Sequence, residues 1–379
     1  MVQPAYGAGA LSDLTPGVLE ALGVPGGSPV LALPEARHVV LLLVDGLGER
    51  LLRRHAADAP FLSALPGRTI TAGFPSTTAT SLASIGTGLP PGGHGVVGLA
   101  FEVGDGVAMN ALGWAAQGDG RPRDLRERFV PEDVQPVPTT FERMAAHGVA
   151  VRVVVPAPFL GTGLTRAVLR GGDQWGVRAL GDLVAAATGE PESDRTFRYA
   201  YHGDLDLLGH VYGPGSDPWR LQLAQVDHLA RSMAERLPAG GLLLVTADHG
   251  MVGVDESDRI DAEQLLDGVR LLAGEPRARH VYAEDGAAGD VLAAWRERLG
   301  DRATVLSRAD AVGAGWFGHV TSRVEPRIGD VIAACTGTTA ITRPATEPVL
   351  SELTGQHGSF TEDELLIPLL TYQEGQPLT

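Results

Sequence analysis

The sequence contains no lysine. All 30 of its strongly basic residues are arginine, and 46 acidic residues outnumber them, which gives a formal net charge of −16. An acidic surface repels a phosphate backbone, so binding to nucleic-acid polymers is disfavoured. A small phosphorylated ligand is still compatible with this charge, because a bound metal ion supplies positive charge locally. The single cysteine, Cys335, excludes an intrachain disulfide and fits a reducing compartment.

The sequence also lacks a long apolar run. The longest runs, such as Val39–Val44 and Leu242–Val245, are far too short to cross a bilayer. The first residues, Met1–Gly7, do not combine a basic stretch with an apolar one, as a secretory signal would. We therefore predict a cytoplasmic protein without a membrane partner. Its oligomeric state is left open.

Short apolar runs alternate with amphipathic stretches along much of the chain. Four runs are typical of buried strands: Val39–Val44, Val149–Val155, Thr196–Tyr201 and Gly241–Thr246. Helical patterns lie between them, including Thr139–His147 and Pro218–Arg236. This alternation predicts an α/β fold in which helices sandwich a mostly parallel sheet.

The segment 252–346 has a different pattern, which predicts a smaller α+β cap inserted into a core of residues 1–251 and 347–379. Acidic helical stretches (Ala262–Leu266, Ala287–Leu299) alternate there with short strands (Thr304–Leu306, Asp330–Ala334). The chain then returns to the core with a last strand at Glu364–Leu370. Its Pro368 indicates an edge position, because proline cannot donate to a strand ladder.

Polar residues follow three of the predicted strands, where a parallel sheet binds its ligands. Asp45 follows the first strand, the Tyr201–His210 segment the third, and Asp248-His249 the fourth. Within that segment Asp206 and His210 are four residues apart, so one helical turn places both on one face. Each feature alone also fits an ordinary helix cap, surface ion pair or loop residue.

Together with His357, which lies between glycines, these positions form a larger set of three aspartates and three histidines. Carboxylate and imidazole groups are suitable zinc ligands, and three protein ligands per ion leave an open position, as in catalytic sites. The set is Asp45, Asp206, His210, Asp248, His249 and His357. It predicts two divalent ions, with zinc as the best fit, at the ~3.5–4 Å spacing of paired catalytic metals.

A hydroxyl-rich segment, Phe74–Leu89, supplies candidate nucleophiles. Ser76 has the character of an N-cap, so a helix is predicted to begin near Thr77 or Thr78. One hydroxyl would then lie over a helix N-terminus, where free N–H groups favour an anion. An ordinary hydroxyl-rich cap explains the same pattern.

Five short motifs in order resemble those of the alkaline phosphatase superfamily, and most closely its nucleotide pyrophosphatase/phosphodiesterase branch. They are Val-Asp-Gly at Asp45, the threonine segment ending in Thr-Gly-Leu-Pro-Pro-Gly-Gly-His-Gly, the Asp206–Pro214 segment, Ala-Asp-His-Gly-Met at Asp248, and Gly-Gln-His-Gly at His357. This resemblance covers most of the chain. It implies a hydrolase of small phosphorylated substrates that cleaves phosphodiester or pyrophosphate bonds through a phosphothreonine intermediate.

The resemblance also implies a role for each matched residue. One metal would be held by Asp206, His210 and His357, and the other by Asp45, Asp248 and His249. The nucleophile would be Thr78, with Thr77 as the alternative, because the assignment depends on the spacing to Thr87-Gly88.

One position departs from the pattern of this branch and bears on the substrate. Leu99 stands where the phosphodiesterases carry an asparagine that contacts the phosphoryl group, and Asn110 is the candidate substitute. A phosphomonoesterase therefore remains the nearest alternative, followed by a catalytically inactive metal-binding protein. A sulfatase is disfavoured, because Cys335 lies in Ala-Cys-Thr-Gly and not in a Cys-x-Pro-x-Arg setting.

Overall fold

The structure is a computed structural model that describes residues 2–117 and 123–377. Its strands, in chain order, are β1 (His38–Val44), β2 (Gly67–Thr71), β3 (Ala100–Glu102), β4 (Ala108–Asn110), β5 (Ala115–Ala116), β6 (Ala150–Pro156), β7 (Asp173–Val177), β8 (Thr196–His202), β9 (Gly241–Thr246), β10 (Val252–Gly253), β11 (Arg259–Asp261), β12 (Val269–Glu275), β13 (Ala278–Ala283), β14 (Ala303–Ser307), β15 (Val331–Cys335), β16 (Ala340–Thr342), β17 (Gly355–Gln356) and β18 (Leu366–Gln373).

The helices surround these strands. They are α1 (Leu14–Ala21), α2 (Glu49–Arg54), α3 (Pro60–Ala64), α4 (Thr78–Thr87), α5 (Pro91–His94), α6 (Pro131–Val134), α7 (Thr140–Ala146), α8 (Gly163–Val168), α9 (Leu180–Thr188), α10 (Asp204–Tyr212), α11 (Asp217–Ala234), α12 (Ala288–Leu299), α13 (Arg308–Gly313), α14 (Pro348–Glu352) and α15 (Glu362–Leu365). The described residues include no helix that is long and apolar enough to cross a membrane.

The central sheet has the strand order β2-β18-β9-β1-β8-β6-β7. The strands β9, β1, β8, β6 and β7 run parallel to one another, which confirms the mostly parallel sheet and all four predicted strands, although β6 is only partly buried. Every residue of β1, β8 and β9 is buried, as expected for strands covered by helices on both faces. Their carboxyl ends lie side by side at one edge of the sheet.

The prediction for the last strand was wrong in start and position. Glu364 belongs to α15, and β18 begins at Leu366 and is an interior strand, paired antiparallel with β9 and β2. Its ladder with β9 begins only at Leu369, so the N–H that Pro368 lacks removes no hydrogen bond there. The edge is occupied by β2, a strand whose sequence has little apolar character.

The predicted helices Thr139–His147, Pro218–Arg236 and Ala287–Leu299 correspond to α7, α11 and α12, within one to two residues at their ends. Helix α7 begins with a capping box, in which the Thr139 hydroxyl accepts from the Glu142 N–H at 3.0 Å and the Glu142 carboxylate accepts from the Thr139 N–H at 2.7 Å. The predicted cap at Ser76 was wrong, because Thr77 precedes the first residue of α4. The Ser76 hydroxyl instead donates to the Ser359 carbonyl at 2.8 Å.

Between residues 252 and 346 the chain builds a second sheet. Its order is β12-β13-β15-β14, all antiparallel, and α12 packs on it through Trp295 with an apolar cluster of its own. The predicted short strands are β14 and β15, whereas the stretch Ala262–Leu266 forms a 3-10 turn at Ala262–Leu265. The segment also contacts the core, since Trp316 packs edge-on against Phe74. Division of the chain at residues 252 and 346 stays a prediction.

Candidate metal centre and nucleophile

The candidate ligands converge where β1, β8 and β9 end. Asp45 follows β1 directly and its N–H donates to the His202 carbonyl at 2.9 Å, which extends the sheet by one bond. Asp248 follows β9 after one residue, and its carboxylate accepts from the Gly46 N–H at 3.1 Å. Two neighbouring parallel strands thus bring acids that are 203 residues apart in sequence to one point.

One group of three consists of Asp45, Asp248 and His249, all buried, with ligand atoms that lie within 4.8 Å of one another. The His249 Nε2 atom lies 3.4 Å from Asp45 Oδ1 and 3.3 Å from Asp248 Oδ2. Its Nδ1 atom is 3.0 Å from the Gly250 carbonyl, which orients Nε2 toward the two carboxylates.

The other group consists of Asp206, His210 and His357, again within 4.8 Å. Asp206 and His210 lie one turn apart on α10, as the spacing predicts, with His210 Nε2 3.2 Å from Asp206 Oδ2. The Nδ1 atoms of His210 and His357 face the carbonyls of Gly355 (2.7 Å) and Ser76 (2.9 Å). Both Nε2 atoms therefore point into the group, 3.3 Å from each other.

The two groups adjoin one another. The rings of His249 and His357, one from each group, stack with centroids 3.6 Å apart and an interplanar angle of 15°. Six ligands in two adjoining sets of three form the kind of arrangement that binds a pair of divalent ions.

The charges in this region fit cations. Burial raises the pKa of Asp45 well above its usual value, and the charges of Asp248 and Asp206 raise it further. Burial alone would raise the pKa of Asp206 too, but the neighbouring His210 outweighs it and holds that pKa far below the usual value. Burial and then the charge of His249 lower the pKa of His357.

One oxygen of each aspartate has no hydrogen-bond partner among the residues that the structure describes. These buried atoms are Asp45 Oδ1, Asp206 Oδ1 and Asp248 Oδ2. Buried, unpaired carboxylate oxygens are costly unless a cation or donor meets them. The donor set therefore fits two divalent ions.

Thr78 lies against the first group. Its hydroxyl oxygen is 3.2 Å from His249 Nε2 and 3.5 Å from Asp45 Oδ2, and it is the first residue of α4. The Thr77 side chain, in contrast, interacts with the buried carboxyl group of Glu275. Of the two candidates, the geometry favours Thr78 as the residue that faces the ligands.

Asn110 has a local role in the structure. It ends β4, and its side-chain oxygen accepts from the Gly113 N–H at 3.0 Å, an ordinary turn contact. The Leu99 side chain is buried, and its backbone N–H donates to Glu275 at 3.2 Å. A contact between Asn110 and substrate stays a prediction.

Three residues near the candidate ligands were not identified from the sequence. The Tyr201 hydroxyl donates a short hydrogen bond to Asp45 Oδ2, and the Ser81 hydroxyl donates to the Asp248 carbonyl at 2.7 Å. The place of Tyr201 at the end of a buried strand next to β1 was an available signal. Glu275, which burial gives a raised pKa of about 8, comes from the second sheet, and no local pattern indicates its place.

Comparisons with known proteins identify the family and the fold. A profile of the family described as type I phosphodiesterase/nucleotide pyrophosphatase matches residues 39–360. Human ectonucleotide pyrophosphatase/phosphodiesterase 5 superposes with a TM-score of 0.67 at 18% identity, covering 88% of this chain and 87% of that chain. The murine protein in complex with AMP gives 0.66 at 15% identity, with coverage of 88% and 87%.

A structure with a different activity in its description is similarly close. Phosphonoacetate hydrolase from Sinorhizobium meliloti 1021, in complex with phosphonoformate, gives a TM-score of 0.66 at 20% identity and covers 89% of this chain and 90% of that chain. No curated protein matches the sequence.

At these identities the solved structures show the fold, which is the predicted alkaline-phosphatase-like α/β fold. The family match extends over most of the chain and includes Thr78 and all six candidate ligands. The chain belongs to the type I phosphodiesterase/nucleotide pyrophosphatase family.

Proposed function

We propose that the protein is a metal-dependent phosphodiesterase or nucleotide pyrophosphatase that uses Thr78 as its nucleophile. The observation that carries this proposal is the position of the Thr78 hydroxyl, 3.2 Å from His249 Nε2 and beside two adjoining groups of three metal-ligand side chains. A hydroxyl that lies against a group of metal ligands would be activated as a nucleophile near neutral pH by an ion held there.

Two ions would be held by the two groups, one by Asp45, Asp248 and His249 and the other by Asp206, His210 and His357. Zinc suits this mixture of carboxylates and imidazoles best. When bound, the two ions supply Lewis-acid stabilisation of negative charge on the attacking and leaving oxygens.

The protein groups carry the reaction itself. In the first half, Thr78 Oγ forms a bond to phosphorus while the bond to the leaving alcohol or phosphate breaks, and the Oγ proton passes to the leaving oxygen or to solvent. In the second half, a water oxygen displaces Thr78 Oγ, which releases the phosphate product and restores the hydroxyl. The free N–H groups in the first turn of α4 would stabilise charge on the phosphoryl oxygens during both steps.

The proposed substrate is a small molecule with a phosphodiester or pyrophosphate bond. The chain's net charge of −16 disfavours a polymeric nucleic acid. AMP and phosphonates are the ligands named for the similar structures, so a nucleotide diester is the first substrate to test.

We also propose a cytoplasmic location, because Cys335 is a free, buried thiol.

The test compares hydrolysis of bis-p-nitrophenyl phosphate with that of p-nitrophenyl phosphate by the zinc-loaded protein. We expect a higher kcat/KM for the diester, and preference for the monoester would support a phosphomonoesterase instead. Thr78→Ala should lose at least about 1,000-fold in kcat, because nothing replaces the nucleophile. Thr77→Ala, the matched control, should keep most of the activity.

Acid quenching during turnover, followed by mass spectrometry, should find phosphate on Thr78. Phosphate on Thr77 would reassign the nucleophile. A pure protein that binds zinc but hydrolyses neither ester would support an inactive metal-binding protein.

A further inference from the structure

A fully buried ion pair joins the second sheet to the loops that carry the ligands. Arg277 lies in the turn between β12 and β13, and Glu364 lies in α15, 87 residues away. The Arg277 Nε atom donates to Glu364 Oε1 at 3.0 Å and an Nη atom donates to Oε2 at 2.6 Å. Both side chains are 0% exposed. This is the two-bonded geometry in which arginine holds a carboxylate most firmly.

The same glutamate fixes the backbone beside a histidine of each ligand group. Its Oε1 atom accepts from the Ser359 N–H at 3.0 Å, two residues after His357. Its backbone carbonyl accepts from the Gly250 N–H at 2.7 Å, directly after His249. One residue therefore contacts both loops that place the stacked rings of His249 and His357.

A second set of bonds continues from Ser359 to the nucleophile. The Ser359 carbonyl accepts from the Ser76 hydroxyl at 2.8 Å, and the Ser76 carbonyl faces His357 Nδ1 at 2.9 Å. Ser76 lies two residues before Thr78. A shift of Ser359 would therefore move His357 and the start of α4 together.

We propose that Arg277 and Glu364 form a positioning pair, which sets the geometry of the metal ligands and of Thr78 from outside the site. This inference rests on the proposed function, because it concerns the same site. It follows that the segment carrying β12 and β13 is needed to position the metal ligands. Partners behind metal ligands commonly change metal affinity or activity by ~10–100-fold when they are altered.

The chain offers a matched control in a second buried pair. Arg279 Nη2 lies 2.8 Å from Glu347 Oε2, with side chains that are 0% and 4% exposed. Arg279 also donates to the Ile341 carbonyl at 3.0 and 2.7 Å. These contacts do not reach Ser359 or Gly250, although the charge of Arg279 also acts on Glu275, so zinc affinity and not kcat is the readout of this control. Loss of either pair should lower the stability of the protein by a similar amount, but only loss of the Arg277–Glu364 pair should lower zinc affinity.

The experiment compares the zinc-loaded wild type with Arg277→Met, Arg277→Lys and Arg279→Met. Zinc affinity is measured by competition with a chelator, alongside kcat, KM and Tm. We expect Arg277→Met to bind the more weakly held of the two zinc ions ~10–100-fold less tightly and to lose a similar factor in kcat. The KM should change little, since Arg277 does not touch substrate. Arg277→Lys should recover part of the loss, because it keeps the charge but not the planar fork.

Arg279→Met should lower Tm comparably while zinc affinity stays within about twofold of the wild type. Equal zinc affinity and kcat in Arg277→Met and wild type would overturn the proposal. A loss of zinc affinity in Arg279→Met as large as that in Arg277→Met would overturn it as well. If Arg277→Met does not fold, the comparison of Arg277→Lys with Arg279→Lys gives the same readout. A wild type that binds zinc without hydrolysing esters would contradict the proposed function but not the zinc-affinity result.

Discussion

Replacing Glu275 with glutamine isolates the energetic effect of one buried carboxyl group beside the site. Glu275 is 2% exposed, and its Oε2 atom accepts from the Leu99 N–H at 3.2 Å. Its Oε1 atom has no hydrogen-bond partner among the described residues. Burial raises the pKa of this carboxyl to about 8, and the Thr77 hydroxyl, the Leu99 N–H and Arg279 only partly oppose that shift.

The sign of the pH effect follows from proton binding. Between the ordinary value of 4.5 and about 8, Glu275 is ionised in the unfolded chain and protonated in the folded protein. The unfolded state then binds fewer protons, so the free energy of unfolding falls as pH rises through this window. At about 1.36 kcal/mol per unit of pKa, the loss between pH 5 and pH 8 is at most about 4 kcal/mol.

Urea unfolding of the metal-free wild type and of metal-free Glu275→Gln at pH 5, 6, 7 and 8 measures this loss. Glutamine resembles the protonated acid in shape and cannot ionise, so the two proteins should have similar stability at pH 5. At pH 8 the variant should be more stable by up to about 4 kcal/mol. Glu190→Gln, at an exposed position, corrects for the loss of one negative charge. A stability difference that stays constant from pH 5 to pH 8 would refute the reasoning.

Two further substitutions test contacts around the site. Tyr201→Phe removes the hydroxyl that donates to Asp45. Zinc affinity, measured by chelator competition, should therefore fall by ~10-fold or more, with Tm nearly unchanged. Unchanged zinc affinity would mean that the hydroxyl does not orient Asp45. Gly86→Ala would place a methyl group 1.7 Å from the Val168 carbonyl oxygen, so α4 must move. Urea unfolding should show that the free energy of unfolding falls by ~2 kcal/mol or more. Gly181→Ala, with open space around it, should be neutral or stabilising. Equal stability of the two alanine variants would contradict this packing.

The central sheet and the clustering of the six candidate ligands were predictable because both depend on local sequence patterns that the topology then combines. Buried strands have continuous apolar runs, and the acid that follows each run lies at the edge of a parallel sheet whichever strands are neighbours. For that reason Asp45 and Asp248 could be placed at the same edge of the sheet without knowledge of the strand order, whereas their assignment to one metal came from the family resemblance. Asp206 and His210 needed only the helical repeat.

The errors arose where a residue's role depends on a distant partner. Pro368 is compatible with an edge, but β2 covers that side, and its sequence, Gly67–Thr71, is too short and polar to predict a strand. Ser76 is a good cap residue by type, yet its hydroxyl donates to Ser359, 283 residues away. The partners of Glu275 and Glu364 likewise come from remote segments, and no spacing in the sequence indicates such pairs.

The electrostatics of the ligand groups indicate how the protein behaves without its metals. Burial and neighbouring charges raise the pKa of Asp45, and Asp206 raises the pKa of His210 despite its burial. In the metal-free protein the Asp206–His210 and Arg277–Glu364 ion pairs each balance their own charges, and burial favours the neutral form of Asp45. We expect removal of zinc to abolish hydrolysis and lower Tm but to leave the near-UV circular dichroism unchanged.

Binding of zinc at the two proposed sites would displace protons, because metal ligands bind in their deprotonated forms. Calorimetric titration of the metal-free protein with zinc at pH 7, in buffers of different ionisation enthalpy, should show release of about one proton or more. Asp45→Asn, which has no proton to release at this position, should release fewer. Heats that are independent of the buffer would show that neither Asp45 nor His210 releases a proton when zinc binds. Loss of the near-UV signal on zinc removal would instead show that the ions, and not the surrounding hydrogen bonds, hold the ligand loops in place.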